Sequence, residues 1–77
     1  MPDYPLTSPA RALAFCLGRG WQVSRTEVGF WVLQHGNEVP LILIARVGEH
    51  LADEALDQIR IELGMSVNDF IAGIVAE

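Results

Sequence analysis

The chain contains no lysine. Its five cations are all arginines, set against ten acids in 77 residues, for a formal net charge of −5. Without lysine there is no P-loop phosphate anchor and no amine for Schiff-base chemistry. The acidic balance argues against a protein that holds nucleic acid by neutralising phosphates, so RNA is a disfavoured partner. There is one cysteine, Cys16. It cannot form an internal disulfide, and a reducing cytoplasm is the expected compartment. Long hydrophobic runs are missing too. The longest, Val39–Ala45, has seven residues, against the roughly 20 that cross a bilayer, so no membrane association is expected. The opening Met-Pro-Asp-Tyr-Pro has neither the basic start nor the apolar core of a signal peptide. HExxH, CxxC, GxSxG and glycine-rich phosphate motifs are all absent.

What is present is apolar and unevenly charged. A hydrophobic fraction of 51% is too high for a disordered chain, and the length suits one small domain. Residues 1–25 carry three arginines against one acid, whereas residues 26–77 carry two arginines against nine acids.

Residues 1–7 hold two prolines and read as a loose N-terminal arm, with a single α+β domain over 8–77. Ser8-Pro9 marks a helix start, because serine caps free N–H groups and proline fits the first turn. Ala10, Leu13, Ala14 and Leu17 repeat at helical spacing, and Gly18 and Gly20 end the segment, giving a helix over about 8–19. Trp21, Val23 and Arg25 alternate with polar residues, as in a strand with one apolar face. Phe30–Leu33 and the stretch from Glu38 to Val47 follow, separated by turns near Glu27–Gly29 and at Gly36-Asn37. Three successive strands with short turns predict an antiparallel meander. Leu51, Ala52, Ala55, Leu56, Ile59 and Leu63 then form one stripe of a second helix, stopped by Gly64. Ser66-Val67-Asn68-Asp69 resembles a capping box and opens a short third helix. The expected order is α-β-β-β-α-α, with helices on one face of a three-stranded antiparallel sheet.

The second and third strands break the alternation that such a sheet needs. Phe30 and Val32 oppose Trp31 and Leu33, and Leu41 and Leu43 oppose Ile42 and Ile44. Both faces are apolar, and two helices cover only one. The other is covered by the third helix, by the N-terminal arm, or by a partner chain, identical or different. The partner reading makes Phe30, Trp31, Val32, Leu33, Ile42 and Ile44 the candidate interface. Trp31 and Ile42 are expected near the contact if their face is the outer one.

Catalytic candidates are few. His35, at a strand end, and His50, before the second helix, are the only histidines. With Cys16 their spacing matches no standard metal site, so neither metal nor cofactor is expected. Cys16 reads as a small buried residue. Glu49, Asp53, Glu54 and Asp57 form an acidic block at the start of the second helix, where the helix dipole favours carboxylates. A solvated helix face accounts for them, and a docking surface for a basic partner is the functional alternative.

The pattern resembles the HicA toxin family, small bacterial ribonucleases of toxin–antitoxin systems with a double-stranded-RNA-binding-domain-like fold. Leu17-Gly18-Arg19-Gly20-Trp21 is similar to the end of that family's first helix, and Arg25 precedes a hairpin as it does there. Ala55-Leu56-Asp57-Gln58-Ile59, then Leu63-Gly64-Met65-Ser66 and Asp69-Phe70, look like its closing signature. The likeness spans about residues 9–74 and implies an α-β-β-β-α frame and a HicB-like partner. The family's histidines are not matched. Val28-Gly29-Phe30-Trp31 stands where it carries Gly-Ser-His, and Ala45-Arg46-Val47-Gly48 where it carries Pro-x-His-Gly. A ribonuclease needs a group that moves protons near the 2′-hydroxyl and phosphate. The expectation is a HicA-like protein without nuclease activity, acting as a homo-oligomer or protein-interaction module. The alternatives are a messenger-RNA-cleaving toxin built around His35 or His50, and an inhibitor whose acidic helix mimics phosphate.

Overall fold

The computed structural model describes residues 4–36 and 38–76, with the backbone alone at 38–40. Asn37, in the expected second turn, lies outside the described residues. The elements are α1 (Pro9–Gly18), β1 (Gln22–Thr26), β2 (Phe30–His35), β3 (Glu38–Ala45), α2 (Asp53–Leu63) and α3 (Val67–Ala76). This is the expected α+β order. The sheet is an antiparallel meander in the order β1-β2-β3.

The helix starts follow the caps read from sequence. The Ser8 hydroxyl accepts from the Arg11 amide at 3.2 Å, and the Ser66 hydroxyl accepts from the Asp69 amide at 3.2 Å. α2 ends at Gly64, whose φ of 70° is left-handed and needs glycine.

α1 packs on β1 and β3, α2 on β3, and α3 on α1. One core lies between these helices and the sheet. It includes Ala12, Phe15 and Cys16 from α1, Leu33 from β2, Ile42 and Ile44 from β3, Leu56 and Ile59 from α2, and Phe70 and Ile74 from α3. Phe15 meets Phe70 edge to face, with centroids 5.5 Å apart.

Three details differ from the sequence reading. The face that α1 buries is Ala12, Phe15 and Cys16, whereas Ala10, Ala14 and Leu17 of the expected stripe are exposed and Leu13 is half-buried, because the larger Phe15 turns the helix toward the core. Residues 4–7 are not loose. Tyr4 and Thr7 are buried, Tyr4 stands edge-on to Phe70 at 5.6 Å, and the Leu51 amide donates to the Thr7 carbonyl at 2.8 Å. Residues 1–3 of the expected arm, Pro2 among them, lie outside the described residues, whereas residues 4–7 form a short packed segment. β1, in turn, does not keep one apolar face. Val23 pairs with Leu33 but Arg25 pairs with Val32, so a bulge at Ser24 puts Val23 and Arg25 on opposite sides.

α3 approaches α1 closely at Gly73. A Cβ there would lie 2.5 Å from Phe15 Cε1 and 2.9 Å from its Cζ. The ring has little freedom, held by Phe70 on one side and by the Arg19 guanidinium 5.2 Å from its centroid. Alanine in a helix interior ordinarily gains up to about 1 kcal/mol over glycine. Gly73→Ala is expected to reverse that sign and cost ~1–3 kcal/mol through overpacking. Urea denaturation checks it; a stabilised variant would show that the helices separate freely.

Candidate functional site: the outer face of the sheet

The register fixes which strand residues share a face. Leu33 pairs with Ile42 and Trp31 with Ile44. Leu33, Ile42 and Ile44 are buried in the core, and Trp31 packs half-buried against it. These four expected interface residues therefore face the helices. Trp31 and Ile42 are on the inner face, so the condition that placed them near a contact is not met.

The outer face is built from the alternate positions. Val32 pairs with Leu43 on one side and Arg25 on the other, Phe30 with Ala45, and Gln34 with Leu41 and Gln22. Val32, central in the middle strand, is 5% exposed although it belongs to no part of the helical core. Around it Phe30, Leu41 and Leu43 are 38%, 45% and 61% exposed. Among the described residues, neither residues 4–7 nor α3 covers this face, because Tyr4 and Phe70 both join the core on the helical side. Of the expected interface, Phe30 and Val32 remain at the surface side, joined by Leu41 and Leu43. The signal was in the strand pattern, but periodicity alone does not say which face the helices take.

Charge around this face is sparse. Arg25 is paired with Glu27, Nε to Oε1 at 3.4 Å. Arg46 at the end of β3 stacks on Trp31, 5.6 Å from its ring centroid, and donates to the Glu27 carbonyl. The hairpin tip between β1 and β2 carries Val28, almost fully exposed.

The histidines do not meet. His35 ends β2 against Trp21, ring centroids 5.5 Å apart, and its Nε2 lies 3.3 Å from where a Gly20 Cβ would be. Gly20, with a φ of 93°, thus combines a left-handed backbone with a close approach. His50 is exposed beside Leu51, whose amide is bonded to Thr7 at the other end of α1. The ten residues of α1 span about 15 Å, so the two imidazoles occupy opposite ends of that helix.

The acidic block is divided as well. Glu49 and Glu54 are exposed and Asp53 is half-buried. Asp57 is engaged internally: its Oδ1 accepts from the Tyr4 hydroxyl and from Arg60 Nε at 3.1 Å. Arg60 also donates to the Tyr4 oxygen at 3.2 Å and, through Nη1, to the Met65 carbonyl at 2.9 Å. The Tyr4 hydrogen bond and the Arg60 pairing hold the Asp57 carboxyl below the usual carboxylate range. Burial, then the Asp57 bond, raises the Tyr4 phenol. The cluster ties the N-terminal segment to α2 and explains one of the acids structurally. Burial pushes the Cys16 thiol up to about 12, which leaves it without thiolate character at neutral pH. Among the described residues no group of three or more His, Cys, Asp or Glu side chains is placed to hold a metal, and no helix is long and apolar enough to cross a membrane.

Comparison of the chain with models of known families, with curated proteins and with solved structures finds no match.

Proposed function

We propose that this chain is a HicA-like protein-interaction module without ribonuclease activity, which pairs the outer face of its sheet with another protein chain. The observation that carries the reading is that face. Phe30, Leu41 and Leu43 are exposed on the same face of adjacent strands, set around the central Val32, while the described helices and residues 4–7 pack on the opposite side. Apolar patches of this kind on small proteins mark interaction sites. The order of one helix, three antiparallel strands and a further helix supports the HicA-like frame. The loss of cleavage is supported by Phe30, Trp31 and Ala45–Gly48 standing where that family carries histidine, and by the separation of His35 from His50. The engagement of Arg25, Arg46 and Arg60 with Glu27, Trp31 and Asp57 adds to the case against a phosphate-binding surface. A cytoplasmic location and a HicB-like partner fit the same reading.

Gel filtration of extracts from producing cells, with and without ribonuclease, tests it. The native chain is expected to elute above the mass of one copy in both, and a Leu43→Glu variant at a clearly smaller size. A complex that collapses on ribonuclease treatment, or one that Leu43→Glu leaves intact, would overturn the reading.

A further inference from the structure

We infer that the occupant of the outer face is a second copy of this chain, packed face to face about a two-fold axis; this rests on the reading of that face as a protein contact. The sheet edges point to a face rather than an edge. β1 is bulged between Val23 and Arg25, and β3 carries Pro40 and an irregular register between Gln34 and His35. Bulges and proline both hinder strand addition, since proline has no N–H to donate.

Charge permits a second copy at this face. Two chains of net charge −5 repel one another in most orientations. The outer face is the exception. Its centre is apolar, its rim has Gln22 and Gln34, and Arg25 is balanced by Glu27. Asp53, Glu54, Asp57, Glu62 and Asp69 belong to α2 and α3, on the helical side. Packed sheets lie ~10 Å apart, and a helix layer about 10 Å behind each puts the two acidic layers ~30 Å apart. That exceeds the ~8 Å screening length at physiological salt.

The available area sets the strength. Exposures of 38%, 45% and 61% for Phe30, Leu41 and Leu43 amount to roughly 250 Å² of apolar surface per copy. With the polar rim, two copies bury on the order of 1,000 Å², near the lower bound for a specific interface. The dimer is therefore reversible, closed by symmetry and limited to two chains.

Sedimentation equilibrium on purified protein, from about 5 to 500 μM, reads this directly. A monomer–dimer equilibrium is expected within that range, with less than about a two-fold change between low and high salt. Leu43→Glu should raise the half-association concentration at least ~50-fold with an unchanged circular dichroism spectrum, and Phe30→Ser serves if that variant misfolds. A wild-type chain that stays monomeric throughout overturns the second copy as occupant and leaves the extract result to decide the interaction reading. A dimer that survives both substitutions places the contact elsewhere and overturns both.

Discussion

Replacing Ile42 with aspartate is expected to unfold the protein, while Leu43→Asp, one position along the same strand, leaves it folded. Ile42 is 2% exposed and faces Leu33 and the helices, whereas the Leu43 side chain is 61% exposed on the opposite face. A carboxyl buried without a partner at position 42 must stay charged or take up a proton at neutral pH, and together with the lost isoleucine packing this cost is comparable with the ~5–15 kcal/mol that holds a typical domain together. At position 43 the same group stays in water, and the change should remain within about 1 kcal/mol. Circular dichroism and urea titration of the two variants distinguish them. A native spectrum for Ile42→Asp would mean that the faces of the sheet are exchanged.

The second large effect is expected at Tyr4. Its ring is 8% exposed, stands edge-on to Phe70, and its hydroxyl sits between Asp57 and Arg60. Tyr4→Ala opens a cavity at the junction of the N-terminal segment, α2 and α3, and should cost ~3–5 kcal/mol. In a domain this small that lowers the melting temperature by more than about 12 °C. Tyr4→Phe keeps the ring and loses only the hydroxyl bonds, for about 1 kcal/mol. Thermal unfolding that leaves Tyr4→Ala close to wild type would show that residues 4–7 contribute nothing to the core.

Tyr4 also marks where sequence reasoning stopped. A tyrosine between two prolines has no periodicity to place it, and its partners Asp57 and Phe70 are 53 and 66 residues away. Only tertiary packing reveals it. The elements themselves were legible, because Ser8-Pro9, Gly64 and Ser66 act locally through capping and left-handed backbone. The bulge at Ser24 was not, since Trp21, Val23 and Arg25 alternate as cleanly as a regular strand would. The apolar excess of β2 and β3 was visible as a property of both strands, but the choice of face came from the helices. That choice removes Trp31, Leu33, Ile42 and Ile44 from the expected interface, keeps Phe30 and Val32 on the outer face, and adds Leu41 and Leu43. The acidic run at 49–57 read as one block, and only the bond from Tyr4 separates Asp57 from the others.

A small chain that leaves one side of its sheet bare gives up burial that it needs for stability. In the proposed dimer, covering Phe30, Leu41 and Leu43 would restore it and link folding to binding through the same side chains, with the acids of α2 and α3 left on the outside.

Site-specific photo-crosslinking in producing cells tests whether the outer sheet face is a contact between protein chains. A photoreactive side chain is placed at Leu43 on the outer face and, as a control, at exposed Ile61 on α2. A covalent protein–protein adduct is expected from position 43 and none above background from position 61. An adduct from position 61 alone, or an adduct to RNA from position 43, would contradict it.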